Sequence, residues 1–157
     1  VQPKSFQLPG SILTGTSIRR YEAFQECPSY KTIKDKERKD RPEKKWGIHI
    51  LFKQAMDGSV ILGDSHEYAS VENKDSLGFD LKVEIDELML KMAGQIFELP
   101  SYEIAYRWYG MYSQCKNGEL FEETIDNHIH IVTGIGGKGM TGSPAFAKEN
   151  IFKLFNL

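Results

Sequence analysis

Three stretches of the chain carry residue types that could do chemistry. The first is Val132-Thr133-Gly134-Ile135-Gly136-Gly137-Lys138-Gly139-Met140-Thr141, followed by Gly142-Ser143-Pro144. Glycines at this density let a backbone take unusual angles and come close to a ligand. A helix starting behind them would offer free N–H groups and the positive end of a dipole. That suits an anionic, phosphate-bearing ligand. A tight turn without a ligand is the plainer reading, and a short glycine loop alone does not displace it. The second stretch is Asp64-Ser65-His66-Glu67-Tyr68. His66 there could carry a proton or hydrogen-bond a substrate, or simply be a turn histidine capped by Asp64. The third is Tyr102 to Tyr112, YEIAYRWYGMY, with Arg107 among aromatics. No metal site is expected. His66 lacks a spaced second and third ligand, and His128 and His130 lack a third.

The elements that would position these residues can be read from periodicity. Trp46 to Phe52 alternates, with Trp46, Ile48, Ile50 and Phe52 on one face. Met56-Asp57-Gly58-Ser59 is a hairpin turn signal, Val60 to Gly63 is the return strand, and the His66 cluster sits at its end. Glu84 to Leu99 is the clearest helix, with Ile85, Leu88, Met89, Met92, Ile96 and Leu99 in one stripe and Pro100 as its stop. Gly94 in that helix suggests close packing against a sheet. Tyr102 to Tyr112 reads as a long strand with large side chains on both faces, so it is covered twice or lines a cavity. Asn117-Gly118 closes it with a turn. Asn127 to Val132 is a strand leading into the glycine loop, and Ala147, Ile151, Leu154 and Phe155 recur at helical spacing after it.

The amino-terminal part is less chemical. Ser11 to Arg20, SILTGTSIRR, is rich in β-branched residues and reads as a strand broken by a glycine. Arg19 and Arg20 would face opposite ways on it, so at most one could hold an anionic substrate group; a surface arginine beside Glu22 or Glu26 is favoured. Ser29 is a plausible cap for a charged helix over Ser29–Arg41. Between Lys31 and Lys45, eight basic residues stand against four acidic ones. The signs are mixed and Tyr30 is the only nearby aromatic, so a solvated helix face is the better reading than a nucleic-acid patch.

Composition sets the outer bounds. The 157 residues are 40% hydrophobic with a formal charge of -2, which suits a folded domain and argues against bulk nucleic-acid binding. No apolar run approaches membrane-spanning length. Cys27 and Cys115 form no metal or redox motif and read as thiols of a reducing, cytoplasmic compartment. The chain opens on Val1, which is expected of a processed chain or a piece of a longer one.

Taken together, the motifs resemble the carboxyl-terminal part of the FAD-dependent amine and amino-acid oxidoreductases, the D-amino-acid oxidase, glycine oxidase and sarcosine oxidase superfamily. The matching pieces are RWYGMY (Arg107 to Tyr112), Asn117-Gly118, the strand ending at Val132, GIGGKGMTGSP and the closing helix. TGTSIRRYEAFQECPS (Thr14 to Ser29) and GDSHEY (Gly63 to Tyr68) make it similar to a subgroup associated with phosphonate utilisation. The resemblance implies an α+β fold: a mixed, largely antiparallel sheet with flanking helices over residues 1–118, the substrate-binding domain, and the last strand–glycine loop–helix of an FAD domain over 119–157. It implies FAD as cofactor, touched by Gly134, Gly136, Gly137, Gly139, Met140 and Thr141.

The same resemblance implies hydride removal from the carbon bearing an amine. The substrate would be a small amine, an amino acid or aminophosphonate. Its polar contacts would be Tyr112 and His66, with Arg107 and Lys138 as cationic candidates beside Arg19 and Arg20. The G-x-G-x-x-G unit that opens these enzymes has no counterpart here, so a further amino-terminal FAD-binding portion is expected, and this piece alone is expected to be inactive. Two positions depart from the family pattern. Tyr112 stands where an arginine usually clamps a carboxylate, and Gly137 stands where a second arginine is found, with Lys138 beside it. A non-catalytic binding module is the alternative from another class. A phosphate-cradling NTPase is not supported, because Lys138 is followed by Gly139 and Met140.

Overall fold

The computed structural model describes residues 2–20, 24–36, 40–116 and 120–157. They fall into two compact units, Val1–Trp108 and Tyr109–Leu157. That division lies upstream of the boundary expected after residue 118.

In the first unit, β1 (Ile12–Leu13), β2 (Leu51–Gln54) and β3 (Val60–Gly63) form one antiparallel sheet in that order. The expected hairpin is present, with Phe52 opposite Leu62 and Lys53 opposite Ile61. Its turn is set by chemistry at three residues. Ala55 N donates to Ser59 O at 2.9 Å, and Gly58 takes a φ of +85° that a side chain would resist. Asp57 Oδ1 accepts from the Ser59 hydroxyl at 2.6 Å and from Ser59 N at 2.9 Å.

Those two bonds, the hydroxyl first, hold the Asp57 carboxyl below its ordinary range. A carboxyl lowered on folding stabilises fully above its unfolded pKa, and the contribution is lost as pH falls through the folded value. Asp57→Ala should therefore melt below the wild type at neutral pH. The gap should close as the pH drops through the acid range, in a thermal-unfolding series.

The core of this unit is Ile48, Ile50, Phe52, Ile85, Ala93 and Leu99. Ile48, Ile50 and Phe52 of the predicted face are buried, but Trp46 lies at the end of the preceding helix, the strand begins only at Leu51, and His49 is buried as well. Helix α4 (Val83–Ile96) lays Leu88, Met89 and Met92 against that core. It stops short of the expected Leu99. Tyr102 explains the early end: its hydroxyl accepts Leu99 N–H at 3.2 Å and donates to Phe97 O at 2.5 Å, closing the helix terminus. Gly94 lies beside that same Tyr102 ring, not against a sheet.

Three other expectations change. Ser11 to Arg20 is not one strand: after β1 the chain turns into helix α1 (Gly15–Arg20). Propensity favoured a strand, but the hydroxyls of Thr14, Thr16 and Ser17 bond the backbone of Ile50 directly or through one another, and that tertiary anchoring wins. The charged helix is shorter than Ser29–Arg41. It appears as α2 (Tyr30–Asp35), with Ser29 at the cap position but making no side-chain cap bond, and α3 (Pro42–Lys45) follows. Tyr102 to Tyr112 is extended but forms no ladder among the described residues. Tyr106 and Trp108 stay 65% and 62% exposed, so the strand-like sequence lacks the neighbour that would make it a strand. The Asn117-Gly118 turn lies outside the described residues.

The second unit is built on a hairpin of β4 (Phe121–Ile125) and β5 (Ile129–Thr133). The sequence reading did not find β4. Asp126 and Asn127 both take positive φ in the connecting turn, so the strand expected from Asn127 begins only at Ile129. His128 is consequently in the turn. His130 pairs across the strands with Thr124, Nδ1 to Oγ1 at 2.8 Å, and the two histidines do not share a strand face. Helix α5 (Gly139–Phe155) starts before Gly142-Ser143-Pro144 and contains Pro144. Its buried Asn150 donates to Glu122 Oε1 on β4 at 2.6 Å. Among the described residues, no helix is long and apolar enough to cross a membrane.

Candidate functional site

The densest polar geometry in the first unit lies at the open end of the β2–β3 hairpin. The ladder slips there. His49 exchanges both backbone hydrogen bonds with Asp64, at 3.0 and 2.8 Å, where the regular register would carry it to Ser65. Directly paired residues put their side chains on the same face, so the slip sets Asp64 beside His49. Trp46 O then accepts His66 N at 2.9 Å and fixes the next histidine. The outcome is a triangle. His49 Nε2 lies 3.0 Å from His66 Nε2 and 2.7 Å from Asp64 Oδ1, and His66 Nε2 lies 3.1 Å from Asp64 Oδ2.

The three side chains differ in access. His49 is buried, His66 is largely buried, and the Asp64 side chain is half exposed. Burial alone would raise the Asp64 carboxyl. The His49 and His66 imidazoles outweigh it and hold the group well below the ordinary carboxylate range. The acid is therefore a fixed negative charge facing two imidazole nitrogens.

His49 is oriented from behind by the amino-terminal segment. The Ser17 hydroxyl donates to Ile50 O at 3.2 Å and lies 3.1 Å from His49 Nδ1. That contact holds the Nδ1 side of the ring and turns its Nε2 edge toward the triangle. Thr14 donates to the same carbonyl at 2.6 Å. The sequence reading found His66 and Asp64 but missed His49 and Ser17. Their signal was weak: one histidine in an apolar strand and one serine in a threonine-rich run.

The glycine loop belongs to the second unit, between β5 and α5. Its glycines divide by what they do. Gly134 is buried at φ +78°, and a Cβ there would come within 2.6 Å of Cys115 Sγ. Gly136 is at φ +65°, with its amide donated to Ser113 O at 3.2 Å. These two were expected to touch flavin through the backbone, yet their conformations are required for packing against residues 113–115. Gly137, Met140 and Thr141 are exposed, and Gly139 is partly so. A 3-10 turn over Gly136–Lys138 runs straight into α5, and the Gly139 N–H donates to Gly136 O. A Cβ on Gly137 would sit 3.3 Å from the Tyr112 hydroxyl, so Tyr112 does reach the loop.

The remaining predicted residues are placed as follows. Arg107 is ion-paired with Asp86 on α4. Lys138 is exposed at the start of α5. The Arg19 carbonyl receives hydrogen bonds from Tyr30 Oη and Lys34 Nζ. Its side chain lines a basic cavity with Lys34, Lys36, Arg41 and Lys44, and His49 contributes to the wall.

Against this geometry, residues 19–150 match the model of the FAD dependent oxidoreductase family, DAO. The match covers most of the chain, and the protein belongs to that family. The family is FAD dependent. Comparison with curated proteins and with solved structures gives no match.

Proposed function

We propose that this chain is part of an oxidoreductase that oxidises a C–N bond of a small amine, an amino acid or an aminophosphonate. The observation that carries the reading is the strand–glycine loop–helix of the second unit in a chain of an FAD-dependent family. The accessible loop of Gly137, Gly139, Met140 and Thr141 would lie against FAD, with the start of α5 toward the ring. Bound there, FAD supplies a hydride acceptor for the carbon bearing the amine, and the imine left behind is hydrolysed by water. The chain's own residues bind and orient. Tyr112, at the loop, offers a hydroxyl to the substrate, and Lys138 offers a charge to its acidic group. His66 is a second polar contact. Arg107 would serve only by leaving Asp86, which makes it the weakest of the four.

A further amino-terminal FAD-binding portion is part of the proposal. Its support is the apolar side of α5, where Ile151, Phe152, Phe155 and the following Leu157 are all exposed. Water is a poor partner for such a patch. The isolated chain should accordingly fail to retain yellow flavin through purification, and retention would overturn that part. In the complete polypeptide, an amine screen followed by flavin bleaching should find a substrate. Tyr112→Phe and His66→Ala should each lower kcat/KM at least about tenfold. Unchanged kcat/KM in both would remove the substrate-contact assignment.

A further inference from the structure

We infer that His49, Asp64 and His66 form a binding site for a divalent first-row transition ion. The inference rests on the first unit alone and does not depend on the flavin reading. Its first support is shape. The three closest approaches among the ligating atoms are 3.0, 2.7 and 3.1 Å. Bonds of about 2.1 Å meeting at right angles place neighbouring ligand atoms about 3 Å apart. Two imidazoles and one carboxylate thus already outline one face of a coordination polyhedron.

The second support is the convergence of the atoms that can ligate. His49 Nε2, His66 Nε2 and the two Asp64 oxygens face one another at 2.7–3.1 Å. Asp64 Oδ1 is buried with His49 Nε2 as its near neighbour. A cation among these atoms would engage both imidazoles and the carboxylate together.

The third support is the surrounding structure. A ligating imidazole ordinarily gives its other N–H to a fixed acceptor, and Ser17 is 1% exposed and held by Ile50 O. The half-exposed side of Asp64 leaves the outer face open for solvent or for an anionic ligand. One carboxylate leaves a net positive charge on a bound dication, which favours an anion there. The nitrogen-rich set selects transition ions over Mg²⁺, which prefers oxygen.

The test is a titration of the chelator-stripped protein with Co²⁺, read by visible absorption, and with Zn²⁺ by displacement. One ion per chain is expected, with Mg²⁺ failing to compete. His66→Ala and Asp64→Asn should each weaken binding at least about tenfold, and Ser17→Ala should weaken it about tenfold through the ring it orients. A His128→Ala/His130→Ala variant should bind like the wild type. Far-UV circular dichroism on every variant establishes that the loss is not unfolding. Absence of stoichiometric binding by the folded wild type would overturn the site. So would binding unaltered by His66→Ala, or binding abolished by the His128/His130 change. No flavin is present in this assay, so its failure leaves the oxidoreductase reading standing.

Discussion

Replacing Phe52 by alanine is expected to cost about 3–5 kcal/mol, the largest loss from any single core truncation in the first unit. Phe52 is fully buried, and its ring lies 5.9 Å from that of Phe97. It also sits where β2 is paired on both sides, opposite Ile12 and opposite Leu62. The truncation therefore opens a cavity between sheet and helix where the strands have least freedom to close it. Among the described residues only six apolar side chains of this core are buried, with partly buried ones packed around them. Urea unfolding followed by tryptophan fluorescence gives the midpoint and slope. A midpoint close to that of the wild type would mean that the packing described around Phe52 is incorrect. Phe52→Leu, which keeps most of the apolar volume, should recover much of the deficit.

Gly134→Ala is expected to destabilise by about 2–5 kcal/mol, from two sources that add. The left-handed φ of +78° costs a side-chain-bearing residue about 1–2 kcal/mol. The new methyl would lie 2.6 Å from Cys115 Sγ, and overpacking of that kind costs about 1–3 kcal/mol. Gly142→Ala is the matched comparison in the same unit. It lies in α5, a Cβ there meets nothing within 4 Å, and its φ is ordinary. That change should be neutral or stabilise by up to about 1 kcal/mol. Thermal melts of the two variants side by side separate a glycine needed for its conformation from one that merely occurs in a helix. Equal melts would show that the loop is not held as described.

Much of the first unit was legible in the sequence. The Asp57-Gly58 turn, the apolar alternation through Ile48, Ile50 and Phe52, and most of the stripe of α4 are local patterns with local causes; the strand itself begins only at Leu51 and the helix ends at Ile96. The failures share a different origin. Thr14 to Arg20 carries strand propensity, but its conformation is decided by hydroxyl contacts to Ile50, more than thirty residues away in the chain. Tyr102 to Tyr112 has the composition of a strand, and composition does not supply a pairing partner. In β4, FEETI has two adjacent glutamates that hide the alternation, and only the Asp126-Asn127 turn hinted at a hairpin.

The site was legible in part for the same reason. Asp64 and His66 are sequence neighbours and were seen together, while His49 joins them only through a one-residue slip in backbone pairing. In the glycine loop, sequence could not distinguish Gly134 and Gly136, committed to residues 113–115, from Gly137 and Gly139, which are more accessible. The composition is the same, and only the surroundings differ.

The serine behind His49 also ties helix α1 to a cluster that the serine itself does not enter. Ser17→Ala would leave β1 and every member of the triangle in place, yet take away the buried partner on the Nδ1 side of that ring. A protein with that one change would fold, look intact by spectroscopy, and hold the imidazole less firmly for whatever arrives.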